Sequence, residues 1–238
     1  MNTTIAYITL RAMLGRRRAL LLFALPAILL LLAVILRFTG NNDLEISTGV
    51  LEKFALGTLL PLLGLIAGTG VIGPEIDDGQ IMYVLTKPVP RQVIVLTKLA
   101  VAILLMVLFG VLPTLVAGAI LTGFTAQLAL AFAIGTLVGG VAYCAVFVAL
   151  AVASRFAVVI GLLYVLVWEV LIGNFAPGAK SLSVQQWALS VTDALTSAVA
   201  VRSDVSLGVA VVLLSIVAGG GTLAAVARLR SLAVTGAD

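Results

Sequence analysis

From Gly73 to Leu121 the chain reads GPEIDDGQIMYVLTKPVPRQVIVLTKLAVAILLMVLFGVLPTLVAGAIL. The first half gathers Glu75, Asp77, Asp78, Lys87, Arg91 and Lys98, six charged side chains in a 238-residue chain that has only 14 Lys/Arg and 10 Asp/Glu. The second half, Leu99 to Leu121, has none. An uncharged apolar run of this length matches the roughly 17–25 residues a helix needs to cross a hydrocarbon core. A second such run, Phe54 to Ile72, stands on the other side of the charges. The polar half is therefore a loop between two spans, through which an aqueous partner reaches the buried helices.

The rest of the chain repeats the pattern. It is 62% hydrophobic and 10% charged, with a mean hydropathy of +1.27, against about 25% charged in soluble domains. The sequence predicts one all-α integral membrane domain over 1–238, with spans at about 19–36, 54–73, 99–122, 128–153, 157–173 and 207–227. Continuous helices are expected because every backbone amide must be bonded within the bilayer, and runs this poor in alternation do not suit a barrel.

Lys and Arg set the orientation, since short loops rich in them stay on the cytoplasmic side. With both termini inside, that side holds Arg11, Arg16, Arg17, Arg18, Lys87, Arg91, Lys98, Arg155, Arg228 and Arg230, leaving Arg37, Lys53, Lys180 and Arg202 outside. Arg16–Arg18 before an apolar run imitates a secretory signal, but Leu36-Arg37-Phe38-Thr39 lacks a small-residue cleavage pattern, so an uncleaved first span is expected. The pI of 9.6 then reflects topology and anionic lipid contact, with no need of a nucleic-acid partner.

The chain has no His and a single Cys, Cys144, so His-based triads, Cys pairs and the usual metal-ligand clusters are excluded. It also lacks a G-x-x-x-x-G-K-[ST] loop, so ATP and Mg, if used, are expected on another chain. No acid pair, His or exposed Cys converges on one face of the spans, which disfavours a membrane enzyme.

Residues 4–18 mix Ile5, Tyr7, Ile8, Ala12 and Met13 with arginines. Two readings are open: a helix lying in the headgroup layer, or arginines that only fix topology. Arg37–Lys53 contains Gly40, Asn41, Asn42 and Asp43 and reads as a short outer loop. Pro26, Pro61 and Pro113 fall within spans, where they can kink a helix. Gly64 and Gly68, and Gly135 and Gly139, have small-xxx-small spacing, and Gly219-Gly220-Gly221 opens a smooth patch in the last span. Such sites permit close helix approach, within one subunit or at a dimer seam.

The outer segment 174–206 carries its own helical signal. Ser183 and Gln186 have capping-box spacing, and Val184, Trp187, Val191, Leu195 and Val199 recur at helical intervals. Trp187 at headgroup depth suits a helix that lies on or dips into the outer leaflet, either as a plain surface helix or as a gate over an outward exit.

In the loop 74–98, Pro74 stands where a helix can start, and Glu75, Asp77 and Asp78 occupy the first turn, where the helix dipole favours acids. Ile76, Ile81, Val84 and Leu85 form an apolar side for a partner's cleft. Thr86-Lys87-Pro88-Val89-Pro90-Arg91 ends that helix, and the next can run from Arg91 into the membrane.

At these residues the chain resembles the permease subunits of ABC-2-type ATP-binding-cassette transporters. The matching stretches are Leu14-Gly15-Arg16-Arg17-Arg18, Glu75-Ile76-Asp77-Asp78-Gly79, and Val84 to Arg91 leading to Lys98. Tyr164-Val165-Leu166-Val167-Trp168-Glu169 and Leu182-Ser183-Val184-Gln185-Gln186 are similar to bacterial members. The resemblance implies a type V exporter-like fold with six spans, an N-terminal interfacial helix and a re-entrant outer segment. It also implies two permeases, identical or related, with two ATPases that dock on the first cytoplasmic loop as a coupling helix. Glu75, Ile76, Asp77, Asp78, Lys87 and Arg91 then transmit motion, and the multi-pass protein sits in a bacterial cytoplasmic membrane.

Glu169 is the one acid well inside an expected span, at a cost of about 2–4 kcal/mol at depth unless paired, hydrated or protonated. It either handles substrate or protons, or makes a structural hydrogen bond near the outer interface, where its place toward the helix end lets water reach it. Three function classes follow: an ATP-driven permease that exports a lipid-like, peptide or drug-like compound, a proton-coupled carrier or channel working through Glu169, and a non-transporting anchor that recruits a cytoplasmic partner.

Overall fold

The computed structural model describes residues 3–15, 18–39, 43–73, 75, 90–123, 126–172, 180–196 and 201–232. Their regular structure is helical throughout. Helix α1 spans Thr3–Leu14, α2 Arg18–Phe38, α3 Leu44–Gly70, α4 Arg91–Leu121 and α5 Ala126–Ala153. Helix α6 begins as Ala157–Leu163 and continues as a π-helical stretch, Tyr164–Ile172. A single 3-10 turn, Lys180–Leu182, precedes α7, Val184–Leu195, and α8 spans Leu207–Leu232. Among the described residues α2, α3, α4, α5 and α8 are long and apolar enough to cross a membrane, and α6 supplies a shorter apolar helix over Ala157–Glu169.

Two helices begin before the apolar residues do. Helix α3 starts ahead of Phe54 because the Asp43 side chain accepts the Glu45 N–H at 3.1 Å, capping the first turn. Most of the expected outer loop before Lys53 is consequently helical; apolarity marks the membrane, and capping marks the helix. Helix α4 likewise starts at Arg91, with Pro90 before it, which places Lys98 two turns inside the helix.

Pro61 and Pro113 each stand two residues beyond the last residue of a π-helical stretch, Leu51–Leu59 and Val107–Val111. Proline lacks an N–H and crowds the carbonyl four residues back, so a widened turn ahead of it relieves the clash without breaking the helix. The π-helical stretch in α6 contains no proline, and it carries Glu169.

The core is organised around α5, which packs against α3, α4, α6, α7 and α8. It is apolar on every side, as expected of a helix surrounded by others, and Phe132, Tyr143 and Phe147 on it are fully buried. Helix α2, in contrast, buries only a narrow stripe, Ala19, Leu22, Pro26, Leu29 and Ala33, and stands beside the second half of α4. Phe23 meets Phe109 there edge to face, with ring centroids 4.7 Å apart.

The glycine pairs seat helices within this chain. A Cβ on Gly64 or Gly68 would lie 2.7 Å from the Cβ of Tyr143 or Phe147 on α5, and one on Gly139 would lie 2.8 Å from the Cβ of Ala188 on α7. Gly221 of α8 rests on the α5 backbone at Ala145, whereas Gly219 and Gly220 face open space. Helix α1 lies along α4, and its Met13, 3% exposed, covers Gly70.

Candidate functional site

The charged stretch 74–98 that the sequence singles out, called the elbow below, leads from the end of α3 into α4. Lys98 is completely buried, and a buried charge is tolerated only when it is paired and hydrogen-bonded. Both conditions hold: its Nζ donates to the Val71 carbonyl at 2.6 Å and to Glu75 Oε1 at 2.6 Å. The Val71 carbonyl belongs to the last turn of α3, where carbonyls have no partner within the helix. Lys98 therefore caps one helix, belongs to the next, and neutralises the first acid of the elbow. The Glu75 backbone N–H donates to Ile72 O at 3.2 Å, closing the turn. Glu75 Oε2 is buried with no hydrogen-bond partner among the described residues.

Arg91, the last sequence-named elbow residue, stands at the same end of the bundle. Its guanidinium donates to the Arg230 carbonyl at 3.0 Å, an interaction suited to the negative end of α8. Among the described residues, Lys98 thus joins Glu75 to α3 and α4, and Arg91 joins the start of α4 to α8. Ile76, Asp77, Asp78 and Lys87 lie outside the described residues.

Lys98 is the residue that sequence reasoning undervalued, counting it only among the loop charges. Its signal was a lone cation two turns into an apolar helix, which demanded an anion from elsewhere in the chain.

A second polar centre surrounds Glu169, which is 4% exposed. The Tyr143 hydroxyl donates to its Oε1 at 2.6 Å and the Tyr164 hydroxyl to the same oxygen at 3.2 Å. The Ser183 hydroxyl donates to Oε2. One carboxylate thereby ties together α5, α6 and the start of α7. Ser183 also caps α7, its Oγ accepting the Gln186 N–H at 3.4 Å, so the carboxylate sits by the positive end of that helix.

The burial of this centre differs from the expectation of a carboxylate that water reaches: Glu169 is enclosed by α5, α6 and the start of α7. Three hydroxyl donors replace the water that the sequence reading supplied.

Helix α7 also departs from the lipid-surface expectation. Val184, Trp187 and Val191 are buried, as the helical interval predicts, but the face they share turns toward α5, and Ala188 and Thr192 fill the hollows over Gly139 and Gly135. Trp187 is 5% exposed and its Nε1 donates to Ser181 O at 2.8 Å. Leu195 is 44% exposed, and Val199 lies outside the described residues. An amphipathic stripe suits a lipid surface and a groove between helices equally, and the small residues of α5 made the groove. Residues 201–206 stitch the outgoing chain to α7: Ser190 Oγ donates to Val205 O at 2.8 Å, and the Ser203 N–H donates to Asp193 Oδ2 at 3.1 Å.

No curated protein matches this chain. The family model described as ABC-2 family transporter protein matches residues 14–168, from the end of α1 through the elbow to the residue before Glu169. An all-helical membrane architecture and a family match over most of the length agree, and the chain belongs to the ABC-2 transporter family.

Proposed function

We propose that this multi-pass ABC-2 permease exports a hydrophobic or amphiphilic compound across a bacterial cytoplasmic membrane, as one of two permease subunits driven by two separate ATPases. Both termini and the elbow face the cytoplasm, where the ATPases bind ATP and Mg. The biased placement of Lys and Arg supports this orientation. In this reading the chain is one transmembrane domain, with α6 as the sixth span, α1 in the headgroup layer and α7 as a re-entrant helix on the outward side.

The observation that carries the proposal is the Lys98 strut. Because Lys98 bonds both Val71 and Glu75, a pull on the first turn of the elbow acts on α3 and α4 together. Ile76, Asp77, Asp78 and Lys87 are the contact residues, and Arg91 passes the motion to α8 through Arg230. ATP shifts the permease between inward and outward states only as far as the ATPase grips the elbow differently in each.

Glu169 and Trp187 hold α7 against α5 and α6 as the outward barrier. A proton-coupled carrier through Glu169 has less support, since both carboxylate oxygens already accept hydroxyl bonds. A non-transporting anchor uses the same elbow and differs in having no flux.

Co-purification with the ATPase encoded beside it tests the reading, comparing wild type with Asp77→Arg plus Asp78→Arg, which leaves Lys98 and Glu75 in place. The double variant is expected to insert normally, to lose most of the bound ATPase, and to lose permease-dependent ATP hydrolysis. Unchanged binding and hydrolysis reject the elbow as the coupling element.

A further inference from the structure

Helices α5, α6 and α8 leave a groove of 710 Å³ between them at the elbow end of the bundle, within the roughly 300–1,000 Å³ range of small-molecule sites. Its walls are apolar, with Ala149 on α5, Ile160 on α6 and Ala224 on α8 among them. Polar groups stand only at its two ends. Tyr164 closes the deep end, and its hydroxyl is engaged with Glu169, so the ring is what the groove meets. Arg228 and Ser231 form the mouth. Ser231 Oγ donates to the Arg228 carbonyl, whereas the Arg228 guanidinium is exposed and makes no hydrogen bond or ion pair with any described residue.

We propose that this groove holds an anionic phospholipid of the adjacent leaflet, with the phosphate on Arg228 and an acyl chain running toward Tyr164. The order of chemistry along the groove is that of a lipid: a cation at headgroup depth, then about one turn of α8 from Arg228 to Ala224, about 6 Å, faced by the uncharged residues of α5 and α6. A long cation near a helix end extends to the interface while its stem lines the apolar wall. An approaching helix from a second permease would have to leave this guanidinium without a counter-charge, unless it brought an acid. An anionic headgroup brings that charge with it, and is drawn to a basic residue near the surface by a factor of about five. The site is independent of the elbow, and its failure leaves the coupling proposal standing.

Native mass spectrometry of the detergent-purified full chain tests it, with phosphatidylglycerol and phosphatidylcholine of equal chain length added at equal concentration. Wild type is expected to retain one phosphatidylglycerol per chain, preferred about fivefold over phosphatidylcholine. Arg228→Ala should bring the two lipids to parity, and Arg228→Lys should keep most of the preference. Ala224→Phe, which fills the groove without altering charge, should remove both adducts. Arg11→Ala, an exposed cation on α1 at the same end, should change nothing. Equal loss from Arg11→Ala and Arg228→Ala means general attraction to basic surface and overturns the site. So does an adduct that survives Ala224→Phe, and so does a dimer that Ala224→Phe splits while lipid retention is unchanged, which would make the groove a subunit seam. Should Ala224→Phe fail to fold, the substitutions at Arg228 and Arg11, both exposed, still decide the matter.

Discussion

Replacing Lys98 by Met keeps the length of the side chain and removes the ammonium that joins α3, the elbow and α4. The Val71 carbonyl loses its partner at 2.6 Å and the Glu75 carboxylate loses its counter-charge. Breaking a buried pair by removing one member costs about 3–5 kcal/mol. Glu75 keeps 24% of its side chain exposed, but its Oε2 is buried, so the expectation stays within that range, about 3–5 kcal/mol. Glu75→Gln retains an oxygen for the ammonium but no charge, with Val71 still in place, and should cost about 2 kcal/mol. If the two residues act as a pair, the double variant is less damaged than the sum of the singles by about 1–2 kcal/mol. Unfolding of purified protein in mixed micelles by rising denaturing detergent, followed by helical circular dichroism, measures all four corners of the cycle. Additivity within about 0.5 kcal/mol would refute the strut as a coupled unit.

Three further outcomes separate the parts of the account. Glu169→Leu orphans three hydroxyls and is expected to cost about 2–3 kcal/mol and loosen α7, so that a cysteine at Ser190 reacts with a water-soluble maleimide. Glu169→Gln keeps an acceptor, and the cysteine should stay largely protected; equal protection in both variants argues against the fastening role. Gly139→Val drives a side chain into Ala188 and Leu60 and should lower thermal stability in detergent by about 1–3 kcal/mol. Gly219→Ala meets nothing within 4 Å and, by helix propensity, should be neutral or stabilising by up to about 1 kcal/mol. A reversed order of those two would contradict the α5–α7 packing.

The helices were legible because membrane helices announce themselves by length and apolarity, and neither depends on tertiary context. Starts were less legible. Asp43 begins α3 among charged residues that hydropathy assigns to a loop, although its cap could have been read, whereas Pro90 marked the start of α4 at Arg91 in the sequence itself. The pairing of glycines with α5 and α7 could not be read, because small-xxx-small spacing says that something approaches and not what. Glu169 was visible as an anomaly, but its enclosure by three hydroxyl donors was not. Tyr143 and Ser183, each 26 and 14 residues away, carry no local mark as its partners. Lys98 and Glu75, 23 residues apart, stood together in the charged stretch as a group, while their pairing depended on how α4 packs against the end of α3.

The central claim is that a separate ATPase grips the elbow, and site-specific crosslinking tests it most directly. A photoreactive p-benzoylphenylalanine replaces Ile76 in the elbow or, as a control, Phe38 at the far end of α2, in membranes that contain the ATPase. The account predicts a permease–ATPase crosslink from position 76 that changes in yield with ATP and disappears with Asp77→Arg plus Asp78→Arg, and none from position 38. A crosslink from position 38, or none from position 76 in a complex that still co-purifies, contradicts it.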